Sequence, residues 1–253
     1  MDIYENSNQY SKIAKDYDSA GWDWVPNKWL NIIEKSSLIK RNQDIIITDL
    51  CCGTAKLLKG LTNMNSNPNS KFFGFDLNED MMSASGRLDS RIKLKKANIL
   101  DLEIDKSDVI SCTYNSINYI DKINDLNLLI NNIYKSLKEK GIFLFDFKPK
   151  NYYLNLKNLA ILQRENESFI KEVIKKTDYY AEYKATCFFK DHKNLYRKEI
   201  FLQKEYFIIP NSIQKQLIES GFKNIDMIDK NNNLVKFINY EKVDEPIFLI
   251  ARK

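Results

Sequence analysis

The sequence predicts a doubly wound α/β fold: a mostly parallel, seven-stranded sheet with helices on both faces and an inserted antiparallel β cap. First, short β-branched or aromatic runs alternate with longer helical segments between residues 45 and 147, as in parallel sheets covered by helices. Second, residues 121–138 repeat apolar side chains at spacings of three and four, which defines one helix face. Third, the segments after residue 150 become aromatic and β-rich.

The elements of the predicted core follow in order. Its strands are expected at residues 45–50, 71–76, 92–95, 108–113 and 142–147. Its helices are expected at residues 26–37, 56–64, 79–88 and 121–138, with Pro26 in the first turn of one helix and Gly141 ending the last.

The remaining segments predict a cap and the completion of the sheet. Residues 179–189 and 195–209 read as an antiparallel hairpin joined by the polar turn 191–194. A helix at 212–220, ended by Gly221, then precedes strands at 223–228 and 245–251. We therefore expect a core with an N-terminal helical lid in residues 1–150, a β-rich substrate cap in residues 151–209, and completion of the core sheet in residues 210–253.

Composition excludes several classes of protein. The 253 residues are 43% hydrophobic and carry a net charge of +5, which fits an ordinary globular domain and does not demand an acidic partner. The apolar runs are far shorter than a membrane span needs, and the polar N-terminus lacks a secretory signal, so a cytoplasmic protein without a membrane partner is expected. The four cysteines form no CxxC or Cys/His cluster, so neither structural zinc nor a disulfide framework is expected.

The turn after the first strand, residues 49–55, is the expected ligand anchor, because open α/β sheets bind ligands beyond the carboxyl ends of their strands. Small side chains at Cys51, Gly53 and Ala55 let the backbone approach a ligand. Positions 51, 53 and 56 do not fit the Gly-x-Gly-x-x-Gly pattern of dinucleotide sites. Instead, Asp49 suits an ammonium group and Asp76, at the end of the second strand, suits two ribose hydroxyls. A ligand that has both an ammonium group and a ribose is S-adenosylmethionine, so these two carboxylates together predict this cofactor.

Further motifs resemble those of the class I S-adenosylmethionine-dependent methyltransferases, which have a Rossmann-like sheet. Residues 49–55 and 74–82 look like the first two motifs, residues 96–102 and 108–119 occupy the places of the third and fourth, and residues 141–147 resemble the following strand. The segment Tyr-x-x-Ile-Ala-x-x-Tyr-Asp, residues 10–18, is common among small-molecule members. Cys51 and Ala55 replace glycines that are usual in the first motif, and Asn98 replaces a frequent aspartate.

The resemblance implies a transferase that uses S-adenosylmethionine, releases S-adenosylhomocysteine and needs no metal. Among the members of this family, the sequence is similar to N-methyltransferases of small molecules and modified peptides. The cofactor contacts that it implies are Asp49, Cys51, Cys52, Gly53, Asp76, Leu77, Met81, Asn98, Ile99 and Tyr114.

The candidate catalytic residues follow from the chemistry of methyl transfer, an in-line displacement that mainly requires alignment of the reactants. The residues above the strand ends that are expected to align the acceptor are Tyr17, Tyr114, Asn115 and Asp146, with Asn118, Lys148 and either Trp22 or Trp24 as further candidates. The clustered tryptophans are either an aromatic wall over a ligand or part of a helix packed on the sheet. His192, in a polar turn, is expected to be a surface residue. Because no strong base is evident, the acceptor is expected to be an amine.

Two alternatives remain open. An RNA-directed methyltransferase is suggested by the basic run 91–96, but that run alternates like an edge strand and no Asn-Pro-Pro-Tyr element is present, so nucleic acid is not the expected partner. A non-catalytic protein with the same fold would bind the cofactor without turnover on any acceptor. The leading hypothesis is a methyltransferase acting on a small-molecule or peptide acceptor.

Overall fold

The computed structural model describes residues 3–20, 24–165, 167–191, 193–237 and 242–253. The helices are α1 (Ile3–Tyr10), α2 (Trp24–Lys35), α3 (Lys56–Met64), α4 (Glu79–Ser83), α5 (Ile123–Ser136), α6 (Lys150–Leu154) and α7 (Pro210–Ser220). The strands are β1 (Ile46–Leu50), β2 (Lys71–Asp76), β3 (Ile92–Lys96), β4 (Ser107–Cys112), β5 (Leu137–Phe147), β6 (Leu159–Gln163), β7 (Glu167–Lys176), β8 (Tyr180–Lys190), β9 (Tyr196–Tyr206), β10 (Asn224–Ile228), β11 (Leu234–Lys236) and β12 (Ile247–Arg252). None of the described helices is long and apolar enough to cross a membrane.

The main sheet has the strand order β11-β10-β12-β5-β4-β1-β2-β3. Strands β1 to β5 pair in parallel, whereas β12 runs antiparallel to both β5 and β10. The predicted doubly wound, mostly parallel fold is confirmed. The sheet has eight strands rather than seven, because the short edge strand β11 pairs with β10, and three residues after an asparagine-rich turn carry too little pattern to be predicted.

The switch point of the sheet lies at β1. After β1 the chain adds β2 and β3 on one side of this strand and then adds β4 on its other side. The carboxyl ends of β1 and β4 therefore diverge into a crevice, the position at which open α/β sheets bind ligands.

Helices cover both faces of the sheet and create two apolar layers. One layer packs α5 and α7 against the sheet around Ile130, Phe145 and Leu217. The other packs α2 and α3 against the opposite face around Trp29, Leu58 and Phe72. These buried layers fix the strand ends, and with them the turns that carry the polar side chains discussed below.

A second, antiparallel sheet has the order β6-β7-β8-β9. Strands β8 and β9 form the hairpin that the sequence predicts. Strands β6 and β7 were not predicted, because β6 is a short apolar run without alternation and the charged residues of β7 obscure its alternation. The N-terminal segment packs on this sheet through Ile13 and Ala20, which contact Phe169, Cys187 and Phe201. The division of the chain at residues 150 and 209 stays a prediction.

Two predicted helices are too long. The helix expected at 79–88 is the five-residue α4, because Gly86 shortly after it has low helix propensity and adopts φ +67°. The helix expected to reach residue 138 ends at Ser136 and β5 begins at Leu137. Gly141 lies inside this strand, where a Cβ atom would approach the carbonyl oxygen of Lys138 to 2.8 Å; close packing rather than a helix end requires glycine there.

Candidate functional site

A cavity at the carboxyl ends of β1, β2 and β4 contains eight of the residues that the sequence nominates for cofactor binding. We call it the first cavity. The nominated residues that line it are Cys51, Gly53, Asp76, Leu77, Met81, Asn98, Ile99 and Tyr114. The lining also contains residues that no sequence motif indicated as cofactor contacts: Asn6, Ser7, Tyr10, Asn78, Ala97, Ser116 and Tyr119.

The floor of the first cavity is the turn after β1, which has an unusual backbone conformation. Cys51, Gly53 and Ala55 adopt φ values of +57°, +52° and +56°, the left-handed region that non-glycine residues rarely occupy. The backbone N–H of Cys52 donates to the carbonyl of Phe75 at 3.0 Å. A Cβ atom on Gly53 would contact Cε of Met81 at 3.4 Å. The turn therefore presents main chain, rather than side chains, to the cavity.

Asp76 connects this turn to the end of β2. One carboxylate oxygen accepts a hydrogen bond from the backbone N–H of Gly53 at 2.7 Å, and the other accepts from that of Asn78 at 2.8 Å. Burial raises the pKa of Asp76, while the hydrogen bonds from the backbone oppose that rise. Asp76 is the only acidic or basic side chain among the described residues that line the first cavity. This negative lining suits a cation or hydroxyl groups and disfavours phosphate.

Two nominated residues, Asp49 and Cys52, lie outside the lining. Asp49 is buried and its Oδ1 accepts a hydrogen bond from the hydroxyl of Ser111 at 2.6 Å. Burial raises the pKa of Asp49 to about 7, which Asp76 and Asp146 reinforce and Ser111 opposes. Cys52 is also buried, and its Sγ fills the space beside Gly74, where a Cβ atom would lie 2.8 Å from it.

The N-terminal segment covers the first cavity and is held there by polar contacts. Thr54 donates to Asp18 at 2.6 Å, and the side-chain amide of Asn78 donates to the carbonyl of Ser7 at 2.6 Å. Asn6 accepts from the backbone N–H of Lys204 on β9 at 2.8 Å. These contacts join residues distant in sequence, so periodicity could not reveal them; only the motif at residues 10–18 pointed to this segment.

A second cavity of about 250 Å³ adjoins the first. The two share a wall of four side chains, Tyr10, Tyr17, Tyr114 and Tyr119, which line both cavities. We call these residues the tyrosine wall. The second cavity also contains the nominated residues Trp24, Asn115 and Lys148, and it extends to the inner face of the four-stranded sheet.

The phenols of the tyrosine wall are neutral groups. The hydroxyls of Tyr10 and Tyr119 lie 2.6 Å apart, and the side-chain amide of Gln203 donates to both. The rings of Tyr17 and Tyr114 have centroids 6.3 Å apart. Burial raises the pKa of all four phenols well above the usual value. At neutral pH these side chains therefore offer hydroxyl groups and aromatic faces rather than phenolate bases.

The charged side chains of the second cavity are Glu205, Lys148 and Lys171. Glu205 is 1% exposed, and Nζ of Lys148 lies 3.0 Å from each of its carboxylate oxygens. Burial alone would raise the pKa of Glu205, but Lys148, Lys171 and the hydrogen bond from Tyr153 outweigh it and hold that pKa below its usual value. Glu205 is therefore ionised and paired at neutral pH.

The other nominated residues have supporting positions. Asp146 is buried outside both linings and accepts from the backbone of Tyr114 and Asn115 and from the indole of Trp29. Asn118 is buried and joins Lys148 to the carbonyl of Tyr206. Trp22 and His192 lie outside the described residues.

Residues 48–143, from β1 into β5, match the family of methyltransferase domains. This part of the chain is a methyltransferase domain, and the chain resembles the class I S-adenosylmethionine-dependent methyltransferases. This methyltransferase is 27% identical over 199 residues to the carboxy-S-adenosyl-L-methionine synthase of Wolinella succinogenes, covering 76% of this chain and 74% of that protein.

Solved structures share the fold of this methyltransferase. An S-adenosylmethionine-dependent methyltransferase from Clostridium acetobutylicum is 24% identical with a TM-score of 0.75, covering 96% of this chain and 98% of that one. The sugar N-methyltransferase KedS8 from a Streptoalloteichus species is 14% identical with a TM-score of 0.63, covering 91% and 85%.

The family implies S-adenosylmethionine as the cofactor, and the first cavity of the methyltransferase fits it. The left-handed turn at Gly53 leaves room beside main chain, Asp76 supplies a carboxylate, and Leu77, Met81 and Ile99 supply apolar surface. The lining carries one negative charge, which is compatible with a positively charged sulfonium ligand. No group of three or more histidine, cysteine or acidic residues that could hold a metal occurs within the described ranges.

Proposed function

We propose that this methyltransferase moves the methyl group of S-adenosylmethionine to an amine nitrogen of a small-molecule or peptide acceptor. The observation that carries the proposal is the tyrosine wall, because the same four side chains line both cavities. A donor in the first cavity and an acceptor in the second then meet where these side chains border both cavities, so the acceptor nitrogen can attack the methyl carbon in line with the C–S bond that breaks.

In this proposal the first cavity holds the cofactor. Asp76 accepts hydrogen bonds from the ribose hydroxyls, and Asn98 and Ile99 bind the adenine base. The backbone from Cys51 to Gly53 approaches the amino-acid end. Asp49, which lies behind the lining, supports this turn from the neighbouring strand instead of contacting the cofactor. S-adenosylmethionine supplies an electrophilic methyl group on a positively charged sulfur.

The residues of the second cavity orient the acceptor and exclude water. Hydroxyl oxygens of the tyrosine wall can accept the N–H hydrogens of an amine from the side, which leaves the nitrogen lone pair free to face the methyl group in the first cavity. Aromatic faces of Tyr17, Tyr114 and Trp24 stabilise positive charge as it develops on nitrogen. Asp146 acts indirectly in this scheme, because it holds the backbone of Tyr114 and Asn115.

The electrostatics of the second cavity favour nitrogen over oxygen as the nucleophile. An amine acceptor loses its excess proton to water before the transfer, so its neutral, nucleophilic form needs no base in the cavity. An oxygen acceptor needs its proton removed during transfer, and neither the neutral tyrosines nor the ion-paired Glu205 supplies a strong base for that step. The similarity in fold to the sugar N-methyltransferase KedS8 agrees with this choice.

The test combines binding with turnover. Isothermal titration with S-adenosylmethionine, S-adenosylhomocysteine and NAD should show binding of the first two alone. The enzyme should then form S-adenosylhomocysteine with amino acids, aminosugars or peptides that have a free amine, and mass spectrometry of the product should place the methyl group on nitrogen. N-acetylated forms of the same compounds are the matched controls. Cofactor binding without turnover on this panel would favour the non-catalytic alternative, and methylation of the N-acetylated controls would exclude the free amine as the acceptor.

A further inference from the structure

Lys171 occupies an exceptional position on the inner face of the four-stranded sheet. In the register of β7, β8 and β9, Lys171 lies opposite Ala185, which lies opposite Phe201. Phe169, two residues before Lys171, points to the same face because side chains alternate along a strand. All four side chains line the second cavity. A lysine among these apolar neighbours is unusual and indicates a role in binding.

The ammonium group of Lys171 forms no direct ion pair with a carboxylate in the part of the chain that the structure describes. Its Nζ lies 3.8 Å from the centre of the Tyr183 ring, whereas the carboxylate of Glu205 is paired with Lys148. Burial and the nearby charge of Lys148 lower the pKa of Lys171 to about 8, against the opposing effect of Glu205. Lys171 therefore remains mostly protonated at neutral pH in a setting that disfavours its charge.

Glu205 cannot turn towards Lys171 without losing several hydrogen bonds. Besides Lys148, its carboxylate accepts from the hydroxyl of Tyr153 at 3.0 Å and from the side-chain amide of Asn115 at 3.4 Å. The negative charge in the second cavity is thus already engaged. One positive charge in the lining remains without a paired anion, in contrast to the first cavity, where Asp76 leaves a negative charge.

We propose that the methyl acceptor carries an anionic group, a carboxylate or a phosphate, that binds at Lys171 in the second cavity. This inference rests on the proposed function and specifies the class of acceptor: a small amine with an acidic group at the end opposite the nitrogen. The anion pairs with the ammonium of Lys171 and restores charge balance in a partly dehydrated site, where such a pair is stronger than at the surface. The nitrogen is then directed towards the tyrosine wall.

The first test measures anion binding without any methyl transfer. Sodium phosphate and sodium acetate are titrated into the protein, with and without S-adenosylhomocysteine, at constant ionic strength and neutral pH, and binding is followed by calorimetry and by thermal shift. Wild type should show saturable binding that Lys171→Met weakens by about tenfold or more. Lys190→Met removes the same charge from β8 outside the cavity and should leave the affinity within about twofold. The anion that binds more tightly identifies the acidic group of the acceptor.

Lys171→Arg separates loss of the cation from damage to the fold, because it keeps a positive charge and should retain anion binding. Unchanged affinity of Lys171→Met for S-adenosylhomocysteine shows that the variant is folded. Absence of saturable binding of either anion to wild type, or equal binding by wild type and Lys171→Met, would overturn the proposal. Turnover is not needed for this result, so failure of the proposed function is seen separately in the amine panel.

A second test uses pairs of acceptors that differ only in the acidic group. Amino acids are compared with their amides, and phosphorylated amines with their dephosphorylated forms. For an acceptor that is methylated, removal of the acidic group should raise KM about tenfold or more in wild type and have little effect in Lys171→Met. A loss of kcat in Lys171→Arg with KM unchanged would instead identify Lys171 as a proton acceptor and contradict the role in anion binding.

Discussion

The backbone nitrogen of Asn115 lies 2.6 Å from Oδ1 of Asp146. The other carboxylate oxygen of Asp146 accepts from the backbone nitrogen of Tyr114 at 3.0 Å. Tyr114 and Asn115 adopt φ values of +64° and +49°, a conformation that costs free energy for residues with a Cβ atom. A buried carboxylate at the end of β5 therefore stabilises the turn after β4, and this turn places Tyr114 in the tyrosine wall.

Asp146→Asn should destabilise the protein because an amide cannot accept all the hydrogen bonds that the carboxylate accepts. The indole of Trp29 also donates to Asp146, at 2.8 Å. We expect the free energy of unfolding, measured with urea, to fall by about 3 kcal/mol, since each bond to a charged group contributes about 1.5 to 3 kcal/mol and the contributions are not additive. Asp105→Asn, at an exposed carboxylate, is the control and should cost less than about 1 kcal/mol. Equal losses in the two variants would contradict this role of Asp146.

Asp76→Ala should weaken the binding of S-adenosylmethionine. Loss of hydrogen bonds between a charged group and two hydroxyls should cost about 1.5 to 3 kcal/mol of binding free energy, which calorimetry measures as an affinity loss of roughly tenfold or more. Asp76→Asn keeps an acceptor for the backbone N–H of Gly53 and should lie between wild type and Asp76→Ala. Glu79→Ala, at an exposed acid three residues later, is the matched control. The ribose assignment is wrong if Asp76→Ala binds the cofactor as wild type does.

Asp49→Asn should change how stability depends on pH. The pKa of Asp49 is about 7 in the folded protein and near 3.9 in an unfolded chain, so the folded state binds the proton more tightly. The stabilising effect of protonation is present at low pH and is lost as pH rises through about 7. The free energy of unfolding of wild type relative to Asp49→Asn should therefore fall by on the order of 2 kcal/mol between about pH 5 and about pH 8.

Chemical denaturation of both proteins across this pH range measures the Asp49 effect. Ser111→Ala, which removes the hydrogen bond to Asp49, should raise the pKa further and move the pH dependence to higher pH. A constant stability difference between wild type and Asp49→Asn across the range would show that Asp49 does not titrate there.

Tyr114→Phe should lower turnover more than cofactor binding. The phenol of Tyr114 belongs to the tyrosine wall, which lines both cavities. Burial raises the pKa of this phenol, and a hydrogen bond with Tyr17 has a smaller, opposing effect. Removal of one hydroxyl that orients the acceptor should reduce kcat by about tenfold or more, while the affinity for S-adenosylhomocysteine changes by less than about threefold. Tyr134→Phe, at a tyrosine packed beside α7, controls for general effects. Unchanged kcat on a methylated amine would remove Tyr114 from the alignment of the acceptor.

The amino-acid pattern was sufficient to predict the fold and most of the first cavity. Strands that are buried on both faces must be apolar, helices that cover a sheet must have one apolar face, and both constraints leave periodic patterns in the sequence. Two elements match their predicted bounds, residues 56–64 and 71–76. Because the carboxyl ends of parallel strands share one edge, the turn at Gly53 and Asp76 could also be expected to meet, and the structure places them in hydrogen-bond contact.

Only the tertiary structure decided which side chains face the second cavity and which ones support them. Asp49, Cys52 and Asp146 carry the right chemistry at the right strand ends, yet each is buried behind a lining, because a strand-end side chain can point either way and its neighbours determine the direction. Lys171 shows the opposite case, since its strand was not predicted and its significance depends on Glu205 being paired elsewhere. Local patterns determine the elements, whereas charge pairing between distant segments is decided only when the chain has folded.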